Sequence, residues 1–384
     1  MANKIRLHIG THKTGTTALQ EKVQSVAPAL RTRGWHYLSG GPNHSWLYLL
    51  FVDDPHSEHD MVKRGLGSPA IARQWVEERR AALADELAAT GYNIFISGEE
   101  LCRLPAEGVF ALLDFLSEHT NDIGVVCSVR APLAYCISEA QEGIKGGLTL
   151  ADVIADPPVA RYRSALAAYV ERLSPSRVRV LRYAGWEGGA GRSITTQVLE
   201  AADVSIDGLD LIDQPRVNGA LSREAARLLS HLNATIPMYV AGELNPVRAS
   251  IPSGWLRRLG TTRFSLPRAS LARSLAMAQD ELRWLRALVG EDWFSEDDAA
   301  AVEALADDDA GDPWTVSDPL SQNVAAVLHD AAALVRDCMT TMLSERARHA
   351  AAAGDAAQAA RHRTSLYHIR PELEHAGRLA AADS

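Results

Sequence analysis

Between Ile5 and Gln20 the chain carries residues of the right types to bind and polarise an anion, in the run IRLHIGTHKTGTTALQ. One cation, Lys13, stands in a loop bounded by Gly10 and Gly15. Thr14, Thr16 and Thr17 add hydroxyls around it, and His12 precedes it. Ile5, Leu7 and Ile9 alternate as in a short strand, and the residues after Thr17 read as helix. A strand, a glycine-bounded loop and a helix N-terminus in that order make an anion site, because first-turn N–H groups lack partners and the helix dipole favours negative charge.

The spacing invites comparison with the ATP-binding pattern G-x-x-x-x-G-K-[ST]. Gly10, Gly15 and Thr17 match, but Thr16 stands where the lysine belongs and the cation lies three residues upstream at Lys13. ATP chemistry needs that lysine on the outer phosphates and a metal on the hydroxyl. The loop is therefore expected to hold a phosphate without hydrolysing ATP.

A second constellation follows at Val125-Val126-Cys127-Ser128-Val129-Arg130, then Ala131-Pro132 and, eight residues after the arginine, Ser138. An arginine ending a strand and a serine inside the next helix can converge on one phosphate. The guanidinium supplies a planar fork of donors and the hydroxyl one more.

Together these two stretches resemble the sulfotransferases that use 3′-phosphoadenosine-5′-phosphosulfate (PAPS). Lys13-Thr14-Gly15-Thr16-Thr17 is similar to the Lys-x-Gly-Thr-Thr loop that holds the 5′-phosphosulfate in that family. Arg130, Pro132 and Ser138 match its strand–Arg–helix–Ser clamp for the 3′-phosphate. Val178 to Tyr183, Arg216-Val217-Asn218 and Gly290 to Phe294 extend the likeness, more weakly, so that it covers about residues 4 to 296. The resemblance implies a bacterial-type enzyme with PAPS as co-substrate, the nucleotide held by His12, Lys13, Thr14, Gly15, Thr16, Thr17, Arg130 and Ser138. Two departures stand out. Ala184-Gly185-Trp186-Glu187 replaces the family's Tyr-Glu-Asp-Leu turn, and the Arg-Lys-Gly segment of the cytosolic eukaryotic members is missing, which leaves the adenine contacts unassigned.

Sulfuryl transfer, by analogy with phosphoryl transfer, asks for positioning and charge stabilisation rather than covalent work. Lys13 would neutralise charge on the leaving phosphate, and no metal is expected. The acceptor must lose a proton to a base. His44 and Glu99 rank equal for that task, ahead of His12 and Glu100. Trp35, Trp46 and Trp75 are read as core residues before acceptor-binding platforms, so the acceptor stays open between a carbohydrate and a small-molecule hydroxyl or amine.

The elements that must position these groups follow from periodicity. Strands are expected at 5–9, 35–38, 92–97, 123–129 and 177–183. Helices are expected at 18–33, 71–90, 105–119, 132–145, 161–173, 193–202, 221–232 and 266–289. Asp53 to Pro69 reads as polar and irregular, a segment that could move over the site. The alternation predicts an α/β fold, a P-loop-like parallel sheet flanked by helices with a helical C-terminal extension. Binding residues then gather at the C-terminal strand ends. Residues 1–296 are expected to form the α/β domain, helical from about 219, and 297–384 an Ala-rich extension, with an Asp/Pro break at 307–319. The tail would offer a surface through which copies associate.

With 384 residues and a net charge of −9, the chain has enough length for one large domain and too little basic charge for nonspecific nucleic-acid binding. Its four cysteines, Cys102, Cys127, Cys136 and Cys338, show no metal-ligand spacing, and Cys127 and Cys136 read as packed thiols. The first strand leaves no room for a cleavable leader and no apolar run reaches membrane length, so a cytoplasmic protein is expected. The alternatives are a P-loop kinase or NTPase, opposed by Thr16, and a non-catalytic nucleotide-binding protein using its helical tail.

Overall fold

The computed structural model describes residues 2–183, 193–211, 220–240, 243–245, 262–303, 337 and 339–369. Five strands form one sheet: β1 (Ile5–His8), β2 (Trp35–Tyr37), β3 (Asn93–Ser97), β4 (Ile123–Arg130) and β5 (Val178–Tyr183), in the order β2-β3-β1-β4-β5. Every pairing is parallel. Parallel strands need crossovers, and helices covering both faces make them near-continuously apolar. Strand β4 shows this, with seven of its eight residues buried.

Helix α1 (Thr16–Thr32) buries Leu19, Val23 and Leu30 at helical spacing. These pack with Val198 and Leu199 of α9 (Ile194–Ala201) against Phe95 and Val126 of the sheet. Elsewhere in the fold α5 (Ala106–Ser117) and α8 (Tyr162–Leu173) pack on each other and on β4. Arg6 points out of the central strand yet is buried, and its charge is met by Asp122 at 2.9 Å and Asp203 at 3.1 Å. Burying a charge is tolerable only with such partners.

The chain resolves into two compact units that interleave along the sequence: Met1–Tyr135, Val159–Val217 and Leu275–Ala300 in the first, and Cys136–Pro158, Asn218–Ser274 and Ala301–Ser384 in the second. The first unit holds the sheet.

In the second unit, α7 (Leu150–Ala155) begins at a reciprocal cap between Thr149 and Asp152, and α10 (Arg223–Thr235) is capped by Ser222. Asn233 donates to the carbonyls of Ile144 and Leu148, both at 2.6 Å, closing the turn after α6 (Pro132–Lys145). Helical residues 339–352 and the helix Ala356–Ile369 contribute Leu343 and Leu366 to a cluster with Ile236.

Three expectations change. The helix read across 266–289 is two, Arg268–Met277 and Gln279–Val289, separated at Ala278. Residues 53–69 are not irregular throughout: a 3₁₀ turn at Pro55–Ser57 and α3 (His59–Lys63) fall there, with Met61 fully buried. The hairpin Tyr239–Val240 with Glu243–Leu244 and α7 have no counterpart in the sequence reading. The turn after Tyr183, Arg216 to Asn218 and the 307–319 break lie outside the described residues.

Candidate functional site

Strand β1 lies between β3 and β4, with His8 level with Ser97 on one side and with Val126 on the other. The chain leaves β1 toward β2 at one edge and leaves β4 toward β5 at the other. The gap between β1 and β4 is thus a topological switch point, where open parallel sheets bind ligands beyond their C-terminal strand ends. Both sequence constellations open onto it, the loop from β1 and Arg130 from β4.

The loop is anchored on β4. The Thr11 amide and hydroxyl both donate to the Ser128 carbonyl, at 3.0 and 2.9 Å. The Thr14 hydroxyl donates to the Thr11 carbonyl at 2.6 Å and closes the turn. Lys13 has φ 68° and Gly15 φ 79°, two left-handed residues flanking Thr14. Such reversals turn successive backbone N–H groups to one side, the geometry of an anion-binding nest. Gly15 caps α1 with no side-chain hydrogen bond to the helix N-terminus. Gly10 is required by contact: a Cβ there would lie 2.9 Å from His8 Nε2 and 2.9 Å from Thr14 Oγ1. Thr16 is buried beside Thr14, whereas Thr17 is exposed.

Arg130 reaches this loop directly, its Nη1 donating to the carbonyl of Lys13 at 3.1 Å. The Arg130 carbonyl accepts from the Tyr162 hydroxyl at 2.6 Å, which fixes the strand end. The guanidinium lies over the ring of Tyr183, 5.8 Å from its centre, and that ring also borders Gly15. Ser138 is half-buried on α6, past Tyr135 and so within the second unit.

On the other side of the loop, the 3₁₀ turn Glu99–Arg103 carries two carboxylates. Glu99 Oε1 lies 3.8 Å from His12 Nδ1, and Glu100 Oε1 lies 3.8 Å from His12 Nε2. Burial raises the Glu99 pKa, opposed by the charges of His12 and Lys13 and by the Lys13 backbone amide, with Glu100 adding to the rise. Glu100 also accepts from Arg103 at 2.7 Å.

His44 takes a different part from the one expected. Its Nδ1 accepts from the Ser97 amide at 3.0 Å and its Nε2 donates to the Leu38 carbonyl at 2.8 Å. With 0% exposure and both nitrogens engaged, the ring ties the 38–44 loop to the end of β3. Burial holds its pKa down to about 4. An imidazole so placed has no free lone pair with which to take a proton.

Several residues that the sequence reading passed over complete the floor of the site. His8 Nδ1 and Ser97 Oγ share a 2.9 Å hydrogen bond, and Gln20 Nε2 donates to the Ser97 carbonyl at 3.1 Å and to Asn43 Oδ1 at 3.3 Å. Polar groups one helical turn inside α1 and at two strand ends were the available signal. Their meeting depends on strand register. Of the tryptophans, Trp35 belongs to the core, and Trp46 and Trp75 flank the Arg79 guanidinium at 5.3 and 5.8 Å.

Cys102, Cys127 and Cys136 are buried free thiols, and burial raises the pKa of Cys127 to about 12. Among the described residues no group of three or more His, Cys, Asp or Glu is placed to hold a metal ion, and no helix is long and apolar enough to cross a membrane. A cleft at the opposite strand ends, lined by Arg6, Arg177, Arg179, Asp122 and Asp203, has Arg6 and Arg179 in ion pairs with the two aspartates.

The chain matches no family model, no curated protein and no solved structure. Its functional reading rests on the site itself.

Proposed function

We propose that the chain is a sulfotransferase, taking a sulfuryl group from PAPS to a hydroxyl or amine acceptor, a carbohydrate or a small molecule. The observation that carries this reading is the convergence of Arg130 on the Lys13 loop, 3.1 Å from guanidinium to carbonyl, at the switch point of the sheet. The strand order and the glycine-bounded loop after β1 support a P-loop-like sheet, and the shift of its lysine from position 16 to 13 separates it from ATP enzymes. When bound, the nucleotide supplies an activated sulfuryl group on a good leaving phosphate.

The chain's own residues supply the rest. Backbone N–H groups of the loop and the α1 N-terminus, with Thr16 and Thr17, hold the 5′-phosphate end. Lys13 neutralises charge as it builds on the leaving oxygen. Arg130 and Ser138 are assigned to the distal phosphate from the sequence pattern. Glu99, desolvated beside His12, takes the acceptor's proton. Three buried unpaired thiols suit a reducing compartment, on which ground a cytoplasmic location is proposed.

Thermal shift and calorimetry with adenosine 3′,5′-bisphosphate against ATP plus magnesium test the reading. Binding to the native state raises Tm by mass action. Stabilisation by the bisphosphate alone is the expected result, and stabilisation by ATP–magnesium alone overturns it in favour of a kinase or NTPase.

A further inference from the structure

A line of ionisable side chains crosses the rim of the Lys13 loop, and His12 is its centre. One carboxylate faces each ring nitrogen, Glu99 at Nδ1 and Glu100 at Nε2, both at 3.8 Å. The two carboxylates are held differently. Glu100 accepts from Arg103 at 2.7 Å and its amide donates to Ser45 Oγ at 3.3 Å. Arg103 in turn lies over the ring of Tyr48, whose hydroxyl donates to Glu58 at 3.0 Å. Glu99 is held on the loop side, by the Lys13 amide and by the charges of Lys13 and His12. His12 and Glu99 are about three-quarters covered, with side-chain exposures of 24% and 22%.

One carboxylate at each ring nitrogen gives a proton a way onto the imidazole at one edge and off it at the other.

We infer that Glu99, His12 and Glu100 act as one acid–base unit, in which Glu99 takes the acceptor's proton and His12 relays it outward through Glu100. The inference deepens the sulfotransferase reading and rests on it. Transfer of a sulfuryl group to a hydroxyl releases one proton overall. The acceptor's O–H bond breaks, its electron pair stays on the oxygen that bonds to sulfur, and the proton bonds to a Glu99 carboxylate oxygen. That proton then passes to Nδ1 of a neutral His12 carrying its own proton on Nε2. The imidazolium gives the Nε2 proton to Glu100, which returns it to water, and a ring flip or tautomer exchange through water restores the Nε2–H form for the next turnover. His12 Nε2 is covered and has no hydrogen-bond partner, so Glu100 is the exit that faces it. The 3.8 Å separations exceed hydrogen-bond length by roughly 0.8 Å, a gap of the kind that closes when a site fills.

The test is calorimetric and needs no acceptor. The full chain is titrated at pH 7 with adenosine 3′,5′-bisphosphate in buffers of different ionisation enthalpy, which counts protons taken up with the nucleotide. Added negative charge beside the unit favours its protonated form only in part, so the wild type is expected to take up roughly 0.1 to 0.5 proton per nucleotide, leaving the larger share of the unit open to the acceptor's proton. His12→Gln and Glu99→Gln should each bring the protons taken up per nucleotide bound close to zero, whatever affinity remains, and the double variant should match either single one, as members of one unit do. His12→Asn replaces His12→Gln should the latter fail to fold. Uptake persisting at the wild-type value in either single variant overturns the unit, as does wild-type binding without proton uptake. Absence of any binding heat in the wild type overturns the nucleotide reading, and this inference with it.

Discussion

Arg130 donates from Nη1 to the carbonyl oxygen of Lys13 at 3.1 Å, joining residues 117 apart in the chain. The contact uses the backbone of Lys13, which stands in the left-handed region at φ 68°. Arg130 is thereby tied to the backbone of the loop that carries Lys13. A loop end bearing two cationic residues at the end of a parallel sheet favours a ligand with more than one negative charge.

Replacing Arg130 by Ala should weaken adenosine 3′,5′-bisphosphate about 10- to 150-fold, the range for losing a hydrogen bond to a charged group. Arg130→Lys should recover little of this, because an ammonium lacks the planar fork. Calorimetric titration measures both. Lys13→Ala should in addition abolish transfer from labelled PAPS, and wild-type transfer by that variant would remove its assigned role.

Gly10→Ala places a methyl group 2.9 Å from both His8 Nε2 and Thr14 Oγ1. Overpacking of this kind costs about 1–3 kcal/mol. The expected outcome is a lower urea midpoint together with lost nucleotide binding, since the loop must open to admit the methyl group. Retention of wild-type affinity would mean that loop closure is dispensable.

His44→Leu should destabilise the fold and leave the pH dependence of transfer where it was. It strips the Ser97 amide and the Leu38 carbonyl of their partners. Leaving a buried polar group unpaired costs about 1–3 kcal/mol. A shift in the pH–rate profile of a folded His44→Leu variant would restore His44 as a base.

Acid should weaken the protein earlier than its carboxylates alone require. Burial holds His8 at about 3 and His44 at about 4, against 6.5 for a free imidazole. Between those values the unfolded chain binds protons that the folded chain refuses. Stability is therefore complete above pH 6.5 and falls as pH drops, by up to about 1.4 kcal/mol per pH unit for each histidine, with His44 ceasing to contribute near pH 4. Urea unfolding at pH 7, 6 and 5 checks this, and in a folded His44→Gln variant the slope should roughly halve.

Much of the sheet was legible because its signals are local. The apolar runs at 92–97 and 123–129 are short and bounded, and their ends agree with the observed strands within one residue. Helix α7 escaped notice although Thr149-x-x-Asp152 is a capping-box pattern, because a six-residue helix offers too little periodicity. The break at Ala278 was hidden for the opposite reason. Alanine is the best of helix formers, and nothing in its chemistry announces a stop. The interleaving of the two units also left no mark, since its boundary at Tyr135 falls inside the continuous helix α6.

By itself the sequence determined the strand–loop–helix around Lys13, the strand that ends at Arg130 and the alternation that makes the sheet parallel. Each depends on neighbours within a few residues, where covalent geometry and side-chain period decide conformation. Only the tertiary structure decided which polar groups meet. Register set His8 level with Ser97, and the approach of residues 38–44 to β3 put the Ser97 amide on His44, so an expected base became a buried tie. The same packing set His12 between two glutamates. Such meetings follow from the burial of distant apolar faces, a sum over the whole core that no single stretch records.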